Sequence, residues 1–304
     1  MEWSLDLSSQ NFSPSPAQKE FGKLCEENRD FSAETDTRKP NDPPPRKREA
    51  NLTEANSLVS EQQAMQFRQE GYFVLERVIP EGHLEALRSE CQRFIDERDA
   101  EMDRLGVEKL DLDHKGKRYF VHAYEGSERV REFLYSELMA EVVRATLGET
   151  AYLFNEQYVV KAAEKGLKFG WHQASGFVGY PHRPYLSCWC AIDDVSVENG
   201  TVYLLPYSRA GTRELAEHVK DEETNDMVGY FGDDPGEPVV APAGSMACFS
   251  SVCFHRSGAN ETDHPRRVYL AQYSAEPIMT EDGSRVRHLA KPFLEGGKRI
   301  GNVV

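Results

Sequence analysis

From residue 151 onward the chain is written in short apolar or alternating runs, each closed by Gly, Pro, Asn or Asp. The runs cover residues 151–162, 185–192, 201–205, 238–240, 245–250 and 267–274. Segments this short satisfy their backbone groups by pairing sideways, and the turn residues fold successive strands back on one another, as in a sandwich or barrel. The preceding ordered stretch reads differently. Ser60 stands where a helix N-cap belongs, Ala64 and Phe67 share a helical face, and Gly71 fits the position just past the helix end. Residues 72–75 read as a strand. A long helix follows Pro80, with Leu84, Leu87, Cys91, Phe94 and Ile95 forming its apolar stripe to about Leu105. A further helix is expected over 129–146, closed by Gly148. Helices first and strands afterwards predict an α+β domain: a jelly-roll-like β core with helices packed on one face.

Residues 1–58 are polar, charged and Pro-rich, with too little apolar surface to offset chain entropy, so they are expected to be a disordered tail. Arg46-Lys47-Arg48 within it reads as part of a solvated linker. Against 36 basic side chains stand 51 acidic ones, a net charge of −15, and no basic stripe follows a phosphate backbone. Nucleic acid and anionic membrane are therefore excluded as expected partners. No apolar run reaches the ~18 residues of a membrane helix, and the N-terminus has no charged-then-apolar leader pattern. A soluble, cytoplasmic protein is expected. The six cysteines include no C-x-x-C pair and read as reduced core residues, with Cys188 and Cys190 on one face of a strand. The N-x-S/T sequons at Asn11, Asn51, Asn199 and Asn260 read as coincidence. No internal repeat, G-x-G-x-x-G, P-loop or G-x-S-x-G occurs, which disfavours dinucleotide, kinase and α/β-hydrolase chemistry.

Two histidine-bearing segments stand out: Gly170-Trp171-His172-Gln173-Ala174-Ser175-Gly176-Phe177, and Phe254-His255-Arg256-Ser257-Gly258-Ala259-Asn260 followed by Pro265-Arg266-Arg267. Between them lie Ala191-Ile192-Asp193-Asp194-Val195 and Glu198-Asn199-Gly200, then a strand ending at Pro206. Either histidine alone would read as a hydrogen-bonded core or surface residue. In this order, from about Phe67 to Pro277, the chain resembles the phytanoyl-CoA dioxygenase family of iron and 2-oxoglutarate oxygenases. That family carries W-H-Q-D, then A-L-D-D-V-x-x-E-N-G, then H-x-S-G with an arginine eleven residues beyond the distal histidine. Arg266 holds that place here. The resemblance implies a double-stranded β-helix (cupin-like) oxygenase domain over residues 59–304. It further implies His172 and His255 as Fe(II) ligands, and Arg266, helped by Ser257, as the anchor of 2-oxoglutarate, with O2 and a small-molecule substrate as partners. The residue types suit those roles. Neutral imidazoles suit Fe(II), and a guanidinium grips a carboxylate through directed hydrogen bonds. Arg267, next along a strand, points to the other face and reads as structural. Gln157 and Lys161 are further candidates for the pocket wall.

The family's H-x-D is here His172-Gln173-Ala174, so the expected carboxylate ligand is replaced by a methyl group. Asp193 and Asp194 are conceivable substitutes, although the family has both beside its usual ligand. Three readings follow. Aliphatic halogenases similar to this family show H-x-A or H-x-G, with chloride in the vacant position, and either Asp or chloride brings the site to a charge of −1. Against this, Gln272 stands where those members carry an arginine. The second reading is an oxygenase of weakened or altered chemistry, and the third a non-catalytic small-molecule binder. His182 and Arg183 read as loop residues able to meet a polar substrate. Tyr119, Phe120, His122 and Tyr124 precede the core and read as ordinary packing that could reach the cavity mouth.

Overall fold

The computed structural model describes residues 57–163, 168–221 and 227–300. The expected tail up to residue 56, with Cys25 and the basic triplet, lies outside them. Helix α1 (Glu61–Glu70) begins with a reciprocal capping box between Ser60 and Gln63 and stops at Gly71, whose φ of 85° is the left-handed conformation that glycine adopts readily. Strand β1 (Tyr72–Leu75) follows, then α2 (Glu81–Leu105), which buries Leu84, Leu87 and Cys91. The expected single helix over 129–146 is two: α3 (Glu128–Leu134) and α4 (Glu137–Leu147). Ser136 caps the second by accepting from Met139 N–H, and Tyr135 carries the break. Apolar residues run through both helices, so the periodicity gives no sign of the interruption.

A hairpin of β2 (Lys109–Leu110) and β3 (Asp113–His114) leads to β4 (Arg118–Val121). The β core then consists of β5 (Ala151–Lys161), β6 (Phe169–His172), β7 (Leu186–Ala191) and β8 (Val202–Leu205). A two-stranded ribbon, β9 (Val219–Lys220) with β10 (Met227–Val228), forms a separate sheet. It is followed by β11 (Glu237–Pro238), β12 (Met246–Ser250), β13 (Phe254–Ser257) and β14 (Arg266–Ser274). Strands β15 (Lys291–Glu295) and β16 (Lys298–Arg299) complete the described chain. The main sheet runs β1-β12-β7-β14-β5-β4-β3-β2, with β15 also on β5, and a smaller sheet runs β11-β8-β13-β6. All the pairings are antiparallel.

The central strands of the main sheet, β7, β12 and β14, are buried on both faces, and their side chains sort by parity. Cys188, Cys190, Met246, Cys248, Tyr269, Ala271 and Tyr273 pack with Leu87, Phe133, Met139 and Val143 of the helices. Trp189, Ala191, Ala247, Phe249 and Val268 pack against Val202 and Leu204 of the smaller sheet. This is the expected α+β jelly roll with helices on one face, and Cys188 and Cys190 do share a face. Five cysteines, Cys91, Cys188, Cys190, Cys248 and Cys253, are buried free thiols. Among the described residues no helix is long and apolar enough to cross a membrane.

Candidate active site

The two histidine segments meet on the cavity side of the smaller sheet. His172 ends β6 and His255 lies in β13, and the two are direct cross-strand partners. Their ring centroids are 4.1 Å apart at 57°. Each imidazole is oriented by its own strand: Nδ1 of His172 donates to Gly170 O at 2.8 Å, and Nδ1 of His255 donates to Cys253 O at 3.0 Å. Those bonds select the tautomer with the lone pair at Nε2, the arrangement a metal-binding histidine needs. Burial, and then the neighbouring His172, push the His255 pKa well below its ordinary value, so the ring is neutral. Two facing imidazoles, each with Nε2 left for a metal, fit Fe(II).

Arg266 opens β14 on the inner face and is 1% exposed. Its Nη2 donates to Gly200 O at 3.0 Å, while Nε and Nη1, both buried, have no acceptor among the described residues. Burial lowers its pKa to about 10, still far above neutrality, so the group stays charged. A buried cation with two unmet nitrogens fits a carboxylate brought in by a ligand. Gly200 is where this geometry requires glycine: its φ is 78°, and a Cβ there would stand 2.6 Å from Gly258 O. Asn199 builds the turn by accepting from Ser196 N–H and donating to Asp194 O. The acidic-Asn-Gly segment thus presents the one carbonyl that Arg266 uses.

Both histidines and Arg266 line one cavity of about 570 Å3, together with Gln157, Ser257 and Ala174. Its described wall contains no Asp or Glu. Ser257 Oγ accepts from Lys161 Nζ at 2.7 Å, and that ammonium also bonds Gly258 O and lies over the Phe169 ring. Ser257 is thus tied to Lys161. Ala174 opens a 3-10 turn (Ala174–Phe177) just past His172. Among the described residues no Asp, Glu or Cys joins the imidazole pair to form a group of three. Asp193 is held instead by Arg267, at 2.9 Å from Nε and 2.6 Å from Nη2. Asp194 Oδ1 accepts from Ala243 N–H.

The other candidates separate as follows. Arg267 is structural, pinned by Asp193 outside the cavity. His182 bonds Ser175 Oγ and Tyr180 O, Arg183 is exposed, and neither lines the cavity. Phe120 does line it, whereas Tyr119 is buried and donates to Asp99. His122 and Tyr124 bond Glu156 away from the wall. Gln272 lines the cavity and bonds Asn155 and Ser187. Trp189, Asn155, Ser187 and Phe249 also belong to the wall, and the last three are not singled out by the sequence, since each looks like an ordinary strand residue.

The chain matches the family profile described as Phytanoyl-CoA dioxygenase (PhyH) over residues 67–268. It is 25% identical to a methylphosphonate hydroxylase of Gimesia maris over 258 residues, 81% of this chain and 94% of that protein. To peroxisomal phytanoyl-CoA dioxygenase of Mus musculus it is 21% identical over 260 residues, 79% of this chain and 76% of the relative. Among solved structures, EctD from S. alaskensis with 2-oxoglutarate and 5-hydroxyectoine is similar in fold at a TM-score of 0.58 and 22% identity, covering 82% of this chain and 90% of that one. The epimerase SnoN in complex with Fe3+, alpha ketoglutarate and nogalamycin RO is similar at a TM-score of 0.52 and 21% identity, covering 77% and 94%.

Proposed function

This chain belongs to the phytanoyl-CoA dioxygenase family of iron- and 2-oxoglutarate-dependent oxygenases, and on that premise we propose that it oxidises an aliphatic C–H of a small molecule at a site where His172 and His255 hold Fe(II), Arg266 anchors 2-oxoglutarate, and Ala174 leaves the third protein-ligand position open. The observation that carries this reading is the convergence of two imidazoles 4.1 Å apart and a buried, under-bonded guanidinium on one cavity. When bound with 2-oxoglutarate and O2, iron supplies the oxidising capacity that the side chains lack.

The residues of the chain bind, orient and exclude. Arg266 offers N–H donors to the far carboxylate of the oxo-acid, and its fixed bond to Gly200 O keeps the guanidinium from turning away. The carbonyl bonds at Nδ1 hold both imidazoles in the metal-binding tautomer. Trp189, Phe249 and Val202 line the wall and keep bulk water from the reacting centre. Gln157 on the same wall is placed to hydrogen-bond the oxo-acid or the substrate. The cavity volume falls in the range of small-molecule sites. The methyl of Ala174 offers no donor atom, so iron affinity depends on two protein ligands and the chelating oxo-acid.

The test is an anaerobic Fe(II) titration of the full chain and of Ala174→Asp, followed by succinate release and product analysis with chloride varied. Ala174→Asp is expected to bind Fe(II) at least about tenfold more tightly, roughly 1.4 kcal/mol. Turnover to hydroxylated product, indifferent to chloride, supports the oxygenase reading. A chlorinated product would assign the open position to halide. Failure of both proteins to bind Fe(II) would leave only a ligand-binding role and overturn the proposal.

A further inference from the structure

The cavity floor is laid out in cross-strand rows on the inner face of the main sheet. At one end Arg118 and Arg266 line the cavity, with Lys161 buried between them in register across β4, β5 and β14. Further along, Gln157, Leu270 and Trp189 form a row across β5, β14 and β7. At the other end stand Asn155, Gln272 and Ser187, again in register on those three strands. Six residues separate Arg266 from Gln272, about 20 Å at ~3.4 Å per residue. The smaller sheet runs along the same axis. Ser257, paired with Phe169, sits over the cationic end through its bond from Lys161. The His255–His172 pair comes next, and Ala174 lies beyond it, packed with Phe154, Val178 and Tyr185 beside the far row. The imidazoles therefore stand between a cationic end and an uncharged polar end.

We infer that the Asn155–Gln272–Ser187 row is the substrate-recognition site of the oxygenase reaction and that it selects a neutral group able to donate and accept hydrogen bonds, such as an amide, carried on an apolar body. This rests on the assignment of His172, His255 and Arg266 proposed above. Asn155 Nδ2 donates to Gln272 Oε1 at 3.0 Å, and Gln272 Nε2 donates to Ser187 Oγ at 3.0 Å. Gln272 is 5% exposed and is spent between its neighbours, so its role is to position them. Asn155, half-buried on the cavity wall at the end of the chain of bonds, spends one N–H on Gln272, and its Oδ1 and second N–H meet no partner among the described residues. That complement matches an amide or hydroxyl.

Charge argues in the same direction. An oxyanion placed over this row would lose its hydration against Phe154 and Val178, with no cation in the row to compensate. Arg287, on that side, is exposed and donates to Phe177 O. The buried charge is concentrated at the opposite end, where the oxo-acid's carboxylate uses Arg266.

A matched pair of probes tests the inference: N-butylacetamide and butylphosphonate, which share an alkyl chain and differ in charge. Their binding is measured by anaerobic equilibrium dialysis with the full chain loaded with Fe(II) and 2-oxoglutarate. The amide is expected to bind at least tenfold more tightly than the phosphonate. Asn155→Leu and Gln272→Leu should each weaken amide binding at least fivefold while 2-oxoglutarate affinity stays within twofold. Should a leucine variant misfold, Asn155→Asp keeps the size, removes the donor, and is expected to weaken the amide similarly. Phosphonate binding as tight as the amide's, no measurable amide binding, or amide affinity unmoved by the variants overturns the inference. Failure of the unmodified chain to bind 2-oxoglutarate instead overturns the reading of Arg266, whatever the amide does.

Discussion

Arg266 carries a full charge on the inner wall of the fold with one carbonyl for an acceptor. Burying an ion without a partner opposes folding, and replacing such a group by an apolar residue of similar length is often neutral or stabilising. Arg266→Met is therefore expected to melt at the same temperature as the unmodified chain, or higher, when no ligand is added. The unmodified chain should gain thermal stability as 2-oxoglutarate and Fe(II) are titrated in, because a ligand that binds only the folded state shifts the equilibrium by mass action. The methionine variant should lose the part of that shift that depends on the oxo-acid. Melting curves of both proteins with and without 2-oxoglutarate check this, and a variant less stable without ligand would show that Arg266 is structural. Asp193 illustrates the opposite case. It sits in the segment that suggested a substitute ligand, yet its two oxygens and Arg267 satisfy each other, leaving nothing for a metal.

At the level of elements, the long strands and the capped helices were legible in the sequence, and the short elements that carry the chemistry were not. Ser60 and Gly71 bracket α1 through local hydrogen bonds and a positive φ, both of which residue type predicts directly. Strand β6 is four residues, Phe-Gly-Trp-His, all half-buried because one side meets the cavity rather than a core, so it shows no alternation. Its histidine was found only because its neighbours in sequence resemble a known pattern. The polar row on β5, β14 and β7 was hidden for a different reason: Asn155, Gln272 and Ser187 lie 32 to 117 residues apart, and only register brings them together. The break between α3 and α4 depends on Ser136, a cap inside an apolar run. Ser136→Ala should cost about 1 kcal/mol of unfolding free energy, read as a lower denaturant midpoint with unchanged slope. No change in midpoint would mean that packing alone holds α4.

Across the whole molecule, the sheet separates two environments, with helices on one side and the cavity on the other. The thiols report on that separation. Burial pushes Cys91 and Cys253 up to about 12, and Cys188 and Cys190 well above the ordinary thiol value. A thiol so placed stays protonated and unreactive at pH 8. In a Cys25→Ser background, Ellman's reagent should label none of the five described thiols in the folded protein and all five after denaturation. Early labelling of any one would mark a part of the domain that opens before the rest. The parity of β14 has a practical side. Residues 269, 271 and 273 grip the helices, while 268, 270 and 272 face the other way. A mutant library confined to Leu270, Gln272 and the latter's cross-strand partner Asn155 could therefore be screened for new substrates while the residues that bind the helices stay untouched, giving directed evolution a set of dials wired separately from the chassis.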